Sequence, residues 1–269
     1  MIIKDYLIGG GIDMSKMFAE ERRNLILNKL QKEKRLTVKD LASALNVSEA
    51  TLRTDLNIME KKGLLTRTHG GAVLNENSPP QNNFTDRAMK NINSKVSIAN
   101  KAIELIDYKN SILLDASTTA LELARKIKET DLKLTVVTSG LSTAIELKEN
   151  PNINVIVLGG IARMGSMALE GVLGSTILNK INVDIMFASA SGFTIEEGLT
   201  DFNVYEVELK KLMVEKAEKV VALVDHTKLG VSSIASFASI DQIDTLITDE
   251  KLSNDFLKQL TSNDIKVID

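Results

Sequence analysis

The 269-residue sequence predicts an α/β protein with an N-terminal winged helix-turn-helix and a C-terminal Rossmann-like α/β domain whose sheet is mostly parallel. Three observations predict it. Up to residue 74, three short helical patterns with a tight second-to-third connection run into a hairpin pattern. A polar stretch, NENSPPQNNFTD (75–86), then holds two of the chain's three prolines. Beyond it, continuous aliphatic runs of strand length alternate with helical segments, as in a parallel sheet covered on both faces.

In FAEERRNLILNKL (18–30) an apolar stripe recurs at helical spacing. TVKDLASAL (37–45) has Thr37 as N-cap with Asp40 three residues on, and Val38, Leu41 and Leu45 on one side. After NVS, Ser48 caps a third helix that runs to Lys62, where Gly63 stops it. Leu52, Leu56 and Met59 bury one side of that helix and leave Thr51, Arg53 and Thr54 outside. LLTRTHGGAVL (64–74) is strand-like on both sides of Gly70-Gly71 and reads as the wing. The expected divisions are 17–74 for this domain, 75–93 for a linker and 94–269 for the second domain. There, strands are predicted at 111–115, 134–138, 154–160, 184–190, 219–225 and 245–249, with IKVI closing the run. Helices are predicted from Thr118, near 141–148, near 172–180, over 203–217 and near 252–261.

Composition excludes several classes. With 43% apolar residues a large core is possible, yet no run approaches the roughly 18 apolar residues of a membrane span. The absence of cysteine removes disulfides, thiol catalysis and cysteine-ligated zinc, and suits a cytoplasmic protein. Two histidines cannot build a His-rich site, so no metal is expected. No Trp and 4% aromatics argue against stacking platforms for single strands. Residues 17–74 hold 11 Lys+Arg against 7 Asp+Glu, a net +4, whereas 75–269 hold 20 against 27, a net −7. A basic head on an acidic body fits duplex DNA binding by the head. MIIKDYLIGGGIDMSK (1–16) is not a signal peptide. Its GGGID before Met14 admits two readings, a natural start at Met14 or Met17, or a tail outside the folded domain.

In a helix-turn-helix the third helix enters the major groove. Arg53 is placed to bond guanine O6 and N7 together, and Ser48, Thr51 and Thr54 to meet phosphates or bases. Arg67, His69 and Gly70 belong to a wing that reaches the backbone or minor groove. Taken alone, Ser48 is equally a cap and Arg53 a solvated charge; the preceding helix and following hairpin favour the DNA reading. In LLDASTTALELARKI (113–127) a strand ends at Asp115 and a helix opens at Ser117-Thr118-Thr119. Free N–H groups and hydroxyls there suit a phosphate, or simply a well-capped helix. VLGGIAR (157–163) adds Gly160 and Arg163, and VDHTKLG (224–230) adds Lys228, at two further strand ends. No phosphate-loop and no GxGxxG sequence is present, so nucleotide cofactors are not expected.

SEATLRTDL (48–56) matches a Ser-x-x-Thr-hydrophobic-Arg-x-Asp-Leu helix, and with RTHGGA (67–72), DASTT, LGGIAR, Gly171, GLTD (198–201) and DHTKLG in order, the chain from Phe18 to Asp249 resembles the DeoR-type sugar-phosphate-responsive transcriptional repressors. That resemblance implies an effector domain similar to sugar-phosphate isomerases such as ribose-5-phosphate isomerase, used for binding and not catalysis. It implies phosphate contacts from Ser117, Thr118, Thr119 and Lys228, with Asp115 and Gly160 lining the sugar site. Thr138-Ser139-Gly140 stands where the family commonly has Thr-Asn-Ser, and SASG (189–192) where it has a GADG-like strand end, so an asparagine that would bond sugar hydroxyls is absent. The expected protein is a repressor of a carbohydrate-utilisation operon, a homodimer or homotetramer partnered by operator DNA and a phosphorylated sugar, without cofactor or membrane. The alternatives are an isomerase with a fused DNA-binding head and a DNA-binding protein without ligand.

Overall fold

A computed structural model describes residues 22–23, 25–26, 29–30, 33, 35–61, 65–68, 70–73 and 84–269. The contacts divide the chain into two compact units, 1–80 and 81–269. The expectation for residues 1–16 lies outside the described residues.

In the first unit, helix α1 contains the described helical residues between 22 and 33. It is followed by β1 (Arg35–Thr37), α2 (Val38–Leu45), α3 (Glu49–Lys61), β2 (Thr66–Thr68) and β3 (Gly71–Val73). The three strands form an antiparallel sheet in the order β1-β3-β2. β1 is absent from the sequence reading because three residues are too few for a period-two pattern to register. Thr37 ends it and caps α2, accepting from the Asp40 backbone N–H at 3.1 Å. Asn46 takes the left-handed conformation that closes α2, and Ser48 Oγ then accepts from Thr51 N–H at 3.2 Å to open α3. Ile26, Leu30, Leu41, Leu52, Leu56 and Met59 fill the core between the helices. Asp55 is buried on α3 and takes the Nε–H groups of Arg22 (2.6 Å) and Arg23 (2.9 Å), tying α3 to α1. Gly71 is required where it lies, since a Cβ there would stand 1.9 Å from the Leu36 carbonyl oxygen.

The second unit opens with α4 (Phe84–Met89) and α5 (Ile92–Ala102). Then come β4 (Ser111–Leu114), α6 (Thr118–Lys128), β5 (Leu134–Thr138), α7 (Leu141–Leu147), β6 (Ile153–Val157), β7 (Ile161–Ala162), β8 (Leu169–Glu170) and β9 (Val183–Ser189). β10 (Gly192–Thr194), β11 (Gly198–Asp201), α8 (Val204–Lys216), β12 (Ala217–Leu223), β13 (Ala235–Ala238), β14 (Thr245–Ile247), α9 (Asn254–Ser262) and β15 (Lys266–Ile268) complete it. Seven strands form one parallel sheet in the order β15-β14-β12-β9-β4-β5-β6. Side chains alternate between two buried layers: Leu113, Met186 and Ala188 enter one core, and Ile112, Leu114, Ile185 and Phe187 the other. Burial on both faces is why these strands read as continuous aliphatic runs. The chain builds outward from β4 through β5 to β6, then returns to place β9 on the other side of β4. The crevice beyond β4 and β9 is thus the topological switch point.

Three expectations differ from what is found. The linker expected over 75–93 overlaps α4 and the first residues of α5, where Phe84 is only 6% exposed, so the second unit starts before residue 94. The helix expected near 172–180 is a 3-10 turn over Ser175–Lys180, because Gly171 lies at φ +79° and Gly174 is pressed against the backbone of Gly159. The β7–β8 hairpin and a small antiparallel sheet, β10-β11-β13, carry too few residues per strand to show in the pattern.

A buried ionic cluster joins the elements around the switch point. Asp115, fully buried after β4, accepts from the backbone N–H groups of Ser117 and Ser189, each at 3.0 Å. Lys210 of α8, 4% exposed, donates to Asp201 (2.8 Å) and the Ser189 carbonyl (2.9 Å) and lies 3.0 Å from Asp115. Its ammonium stands 4.7 Å from the Phe237 ring centroid. Burial opposes the charge on Lys210, but the attraction of Asp115 and Asp201 outweighs it and raises the pKa. Asp201 is likewise lowered against its burial by Lys210 and by Ser191 and Phe202 as donors. A depressed carboxylate contributes stability that is present above its unfolded pKa and lost as pH falls through the folded one. Lys210→Met leaves two buried carboxylates without a counter-charge and is expected to cost the second unit about 3–5 kcal/mol. The check is urea denaturation followed by circular dichroism at neutral pH; a loss below about 1 kcal/mol would show that the cluster does not hold the strand ends.

Candidate functional site

Ser48, Thr51, Arg53 and Thr54 lie together on the outer side of α3. The Ser48 and Thr51 hydroxyls are 2.9 Å apart, and Thr54 Oγ donates to the Ala50 carbonyl at 3.1 Å. Arg53 pairs with Glu49 one turn earlier at 3.0 Å, both side chains about half exposed. Such a pair is worth only about 0.3–0.5 kcal/mol, so the guanidinium is readily released. Arg67 is turned back onto α3: its backbone N–H donates to Glu60 at 2.8 Å, and its Nη1 donates to Asn57. Gly70 is exposed, with its carbonyl accepting from Val38 N–H at 2.9 Å. His69 lies outside the described residues.

In the second unit a cavity of about 260 Å³ opens at the carboxyl ends of β4 and β9. Ser117 and Thr118 line it at the start of α6, where Ser117 Oγ accepts from Ala120 N–H at 3.1 Å. Lys228 reaches it from the turn after β12, with Nζ 3.3 Å from Ser189 Oγ and 3.6 Å from the Asp225 carboxylate. Asp225 accepts from Thr227, and with Lys228 nearby its carboxyl is lowered although burial pushes it up. Opposite, Lys95 of α5 is 3% exposed and donates to the carbonyls of Arg87 and Lys90. Burial, with repulsion from Lys228, lowers its pKa to about 8. Burial also lowers that of Lys228 against the attraction of Asp225. Buried Lys95, partly exposed Lys228 and a helix N-terminus therefore face one space, an arrangement suited to an anion. Elsewhere on the wall Glu206 is raised by burial, with Asn203 donating to it at 2.9 Å.

The sequence-predicted residues divide accordingly. Ser117, Thr118 and Lys228 line the cavity together. Asp115 and Thr119 stand behind its wall: Asp115 serves the ionic cluster, and Thr119 Oγ accepts from Ser189 Oγ at 3.3 Å. The structure does not bring Gly160 and Arg163 to the cavity. A Cβ on Gly160 would lie 2.6 Å from the Glu170 carbonyl oxygen, so this glycine serves the β7–β8 pairing. Arg163 pairs with Glu170 at 3.0 Å and lies 4.2 Å from the Tyr205 ring centroid. The lining residues Lys95, Ser189, Asp201, Glu206 and Lys210 were missed. Lys210 sits beside Lys211 on α8, and only tertiary placement distinguishes them. On a separate rim His226 Nδ1 is 2.8 Å from Asp249 and 3.4 Å from Glu250; the hydrogen bond to Asp249 raises the imidazole pKa.

Comparison with known proteins agrees with both units. The family model for the DeoR-like helix-turn-helix domain matches residues 22–78, and that for the DeoR C terminal sensor domain matches residues 90–250. The chain is 48% identical to the HTH-type transcriptional regulator GolR of Listeria innocua, over 90% of this chain and 95% of that one. It is 31% identical to the HTH-type transcriptional repressor GlcR of Bacillus subtilis, over 94% of this chain and 96% of that one. Ribose 5-phosphate isomerase A of Neisseria gonorrhoeae aligns over 51% of this chain and 53% of its own at 16% identity, with a TM-score of 0.39, too low to add to the topology above. The chain belongs to the DeoR family of helix-turn-helix transcriptional regulators, with a DNA-binding unit followed by a sensor domain.

Proposed function

We propose that this regulator represses a carbohydrate-utilisation operon and that a phosphorylated sugar in the sensor cavity sets its affinity for operator DNA. The observation that carries this reading is a pair of lysines, buried Lys95 and partly exposed Lys228, facing the N-terminus of α6 across one cavity. A phosphate would take its contacts from Lys228, Lys95, Ser117 and Thr118. Asp201, Glu206 and Asp225 supply acceptors for sugar hydroxyls, while Asp115 and Thr119 support the wall. Gly160 and Arg163 act indirectly, through the β7–β8 hairpin. The repressing sign is that of the relative GlcR.

On the DNA side Arg53 reads a base edge, Ser48, Thr51 and Thr54 hold phosphates or bases, and Arg67, His69 and Gly70 form the wing contact. A bidentate guanine contact is worth about 1–3 kcal/mol, well above the Glu49 pair that Arg53 gives up. One recognition helix gives little specificity, so the working form is a homodimer or homotetramer on half-sites about 34 Å apart or multiples of that. Tenfold control of DNA affinity requires only about 1.4 kcal/mol of coupling.

The test is fluorescence anisotropy of DNA from upstream of the regulator's own operon at fixed salt, titrated with protein with and without a panel of sugar phosphates. One phosphate is expected to weaken binding while its unphosphorylated sugar does not; tighter binding would reverse the sign, and no shift with any phosphate would remove the effector. Arg53→Ala is expected to lose about 1–3 kcal/mol of operator binding and relax specificity at one base pair. Unchanged binding would make Arg53 a solvated charge. Lys228→Ala should bind operator like the native chain and no longer respond to the effector. A normal response in that variant would take Lys228 out of the site.

A further inference from the structure

The corner between α4 and α5 forms one side of the cavity and is also where the sensor domain meets the preceding chain that leads to the DNA-binding unit. Its construction is unusual. α4 has six residues, too few to persist on helix propensity alone. Its start is fixed by buried Phe84, whose N–H donates to the Gly165 carbonyl at 3.1 Å. Arg87 lies over the rings of Phe84 and Phe202, at 5.9 and 5.5 Å. Its end is capped from outside by Lys95 Nζ, which donates to the Arg87 and Lys90 carbonyls. An ammonium has three donors, so one remains for the cavity that Lys95 lines. Between the helices Asn91 takes the left-handed conformation, φ 51°. Its Nδ2 reaches Asp225 (3.4 Å) and Thr227 (3.3 Å), in the turn that carries Lys228.

We propose that the α4–α5 corner is the relay of the switch: an anion held by Lys228 and Lys95 fastens the cap of α4 and the Asn91 tie, and so orders α4, the first helix of the sensor unit. This rests on the reading of the cavity as a phosphate site. The physical step is differential. Without an anion, burial and then repulsion from Lys228 weaken the charged cap, against the attraction of Asp225 and Glu122. A shared anion removes the repulsion and favours the ammonium, and with it both carbonyl bonds at the end of α4. The tie through Asn91 brings the two lysine-bearing elements to the anion together. Lys95 would be a binding residue and Asn91 a positioning residue.

The experiment is hydrogen–deuterium exchange of the full chain in inorganic phosphate against chloride at matched ionic strength. Amides over 84–95 are expected to exchange about fivefold more slowly with phosphate, together with those over 117–121 and 225–228. Asn91→Gly keeps the left-handed backbone while removing the amide. In that variant phosphate should still protect 117–121, but no longer 84–90, and the anisotropy response to the effector should shrink while operator binding without effector is unchanged. Protection of 117–121 and 225–228 with no change over 84–95 would overturn the relay and leave the phosphate site standing. Full protection over 84–90 in Asn91→Gly would also overturn it. No protection anywhere would overturn both the relay and the phosphate reading beneath it.

Discussion

The ammonium of Lys210 is the constraint on which the sensor domain's site depends. It comes from α8 and meets Asp115 after β4, the Ser189 carbonyl at the end of β9 and Asp201 at the end of β11. Each partner is itself bonded: Asp115 to two backbone N–H groups, and Asp201 to the Ser191 hydroxyl at 2.7 Å and the Phe202 N–H at 2.9 Å. A charge this deep costs several kcal/mol unless its geometry is satisfied, and here all three donors have acceptors. The cluster therefore sets the relative positions of the strand ends where the sheet order reverses. The hydroxyls of Ser117 and Thr118 and the turn bearing Lys228 are built on that frame.

Cavity chemistry follows from which charges the frame satisfies. Lys210 is neutralised by two carboxylates and becomes structural. Lys228 shares one carboxylate, Asp225, with Thr227, and Lys95 hydrogen-bonds two carbonyl oxygens, with Asp225 and Glu122 attracting it from farther off. The pKa directions record this gradient: Lys210 goes up, whereas Lys228 and Lys95 go down. Unmet positive charge is concentrated on the side of the cavity bounded by α5 and the turn after β12, where α6 also presents its first N–H groups. An anion there gains from three sources at once, and no one of them has to be large.

Much of this architecture was legible because it is local or periodic. The α2–α3 turn, the capping of α3 by Ser48 and the seven aliphatic strands follow from signals a few residues long. Ser117, Thr118 and Lys228 were legible for the same reason, since each sits where a strand hands over to a helix or turn. What was not legible depends on long-range placement. Lys95 and Lys210 look like any helical lysine, and only packing decides that they point inward. β1 and the β10-β11-β13 sheet are too short for a pattern. Arg163 misled for the converse reason: a cation after a strand end looks mobile, but the β7–β8 hairpin commits it to Glu170 and Tyr205.

The same charges bear on what the cavity can do chemically. General acid–base chemistry needs a carboxyl or amine free to exchange a proton near neutral pH within reach of the ligand. Asp201 and Asp225 line the cavity, but both are lowered and locked, one on Lys210 and Ser191, the other on Lys228 and Thr227. Their oxygens can accept from hydroxyls without taking a proton. Glu206 is pushed up by burial, against the attraction of Lys210 and the hydrogen bond donated by Asn203. The groups that do have latitude, the Lys95 ammonium and the α4 carbonyls it caps, lie on the element that leads toward the DNA-binding unit. Charge that a bound anion would alter is thus concentrated where the first two helices of the sensor unit meet.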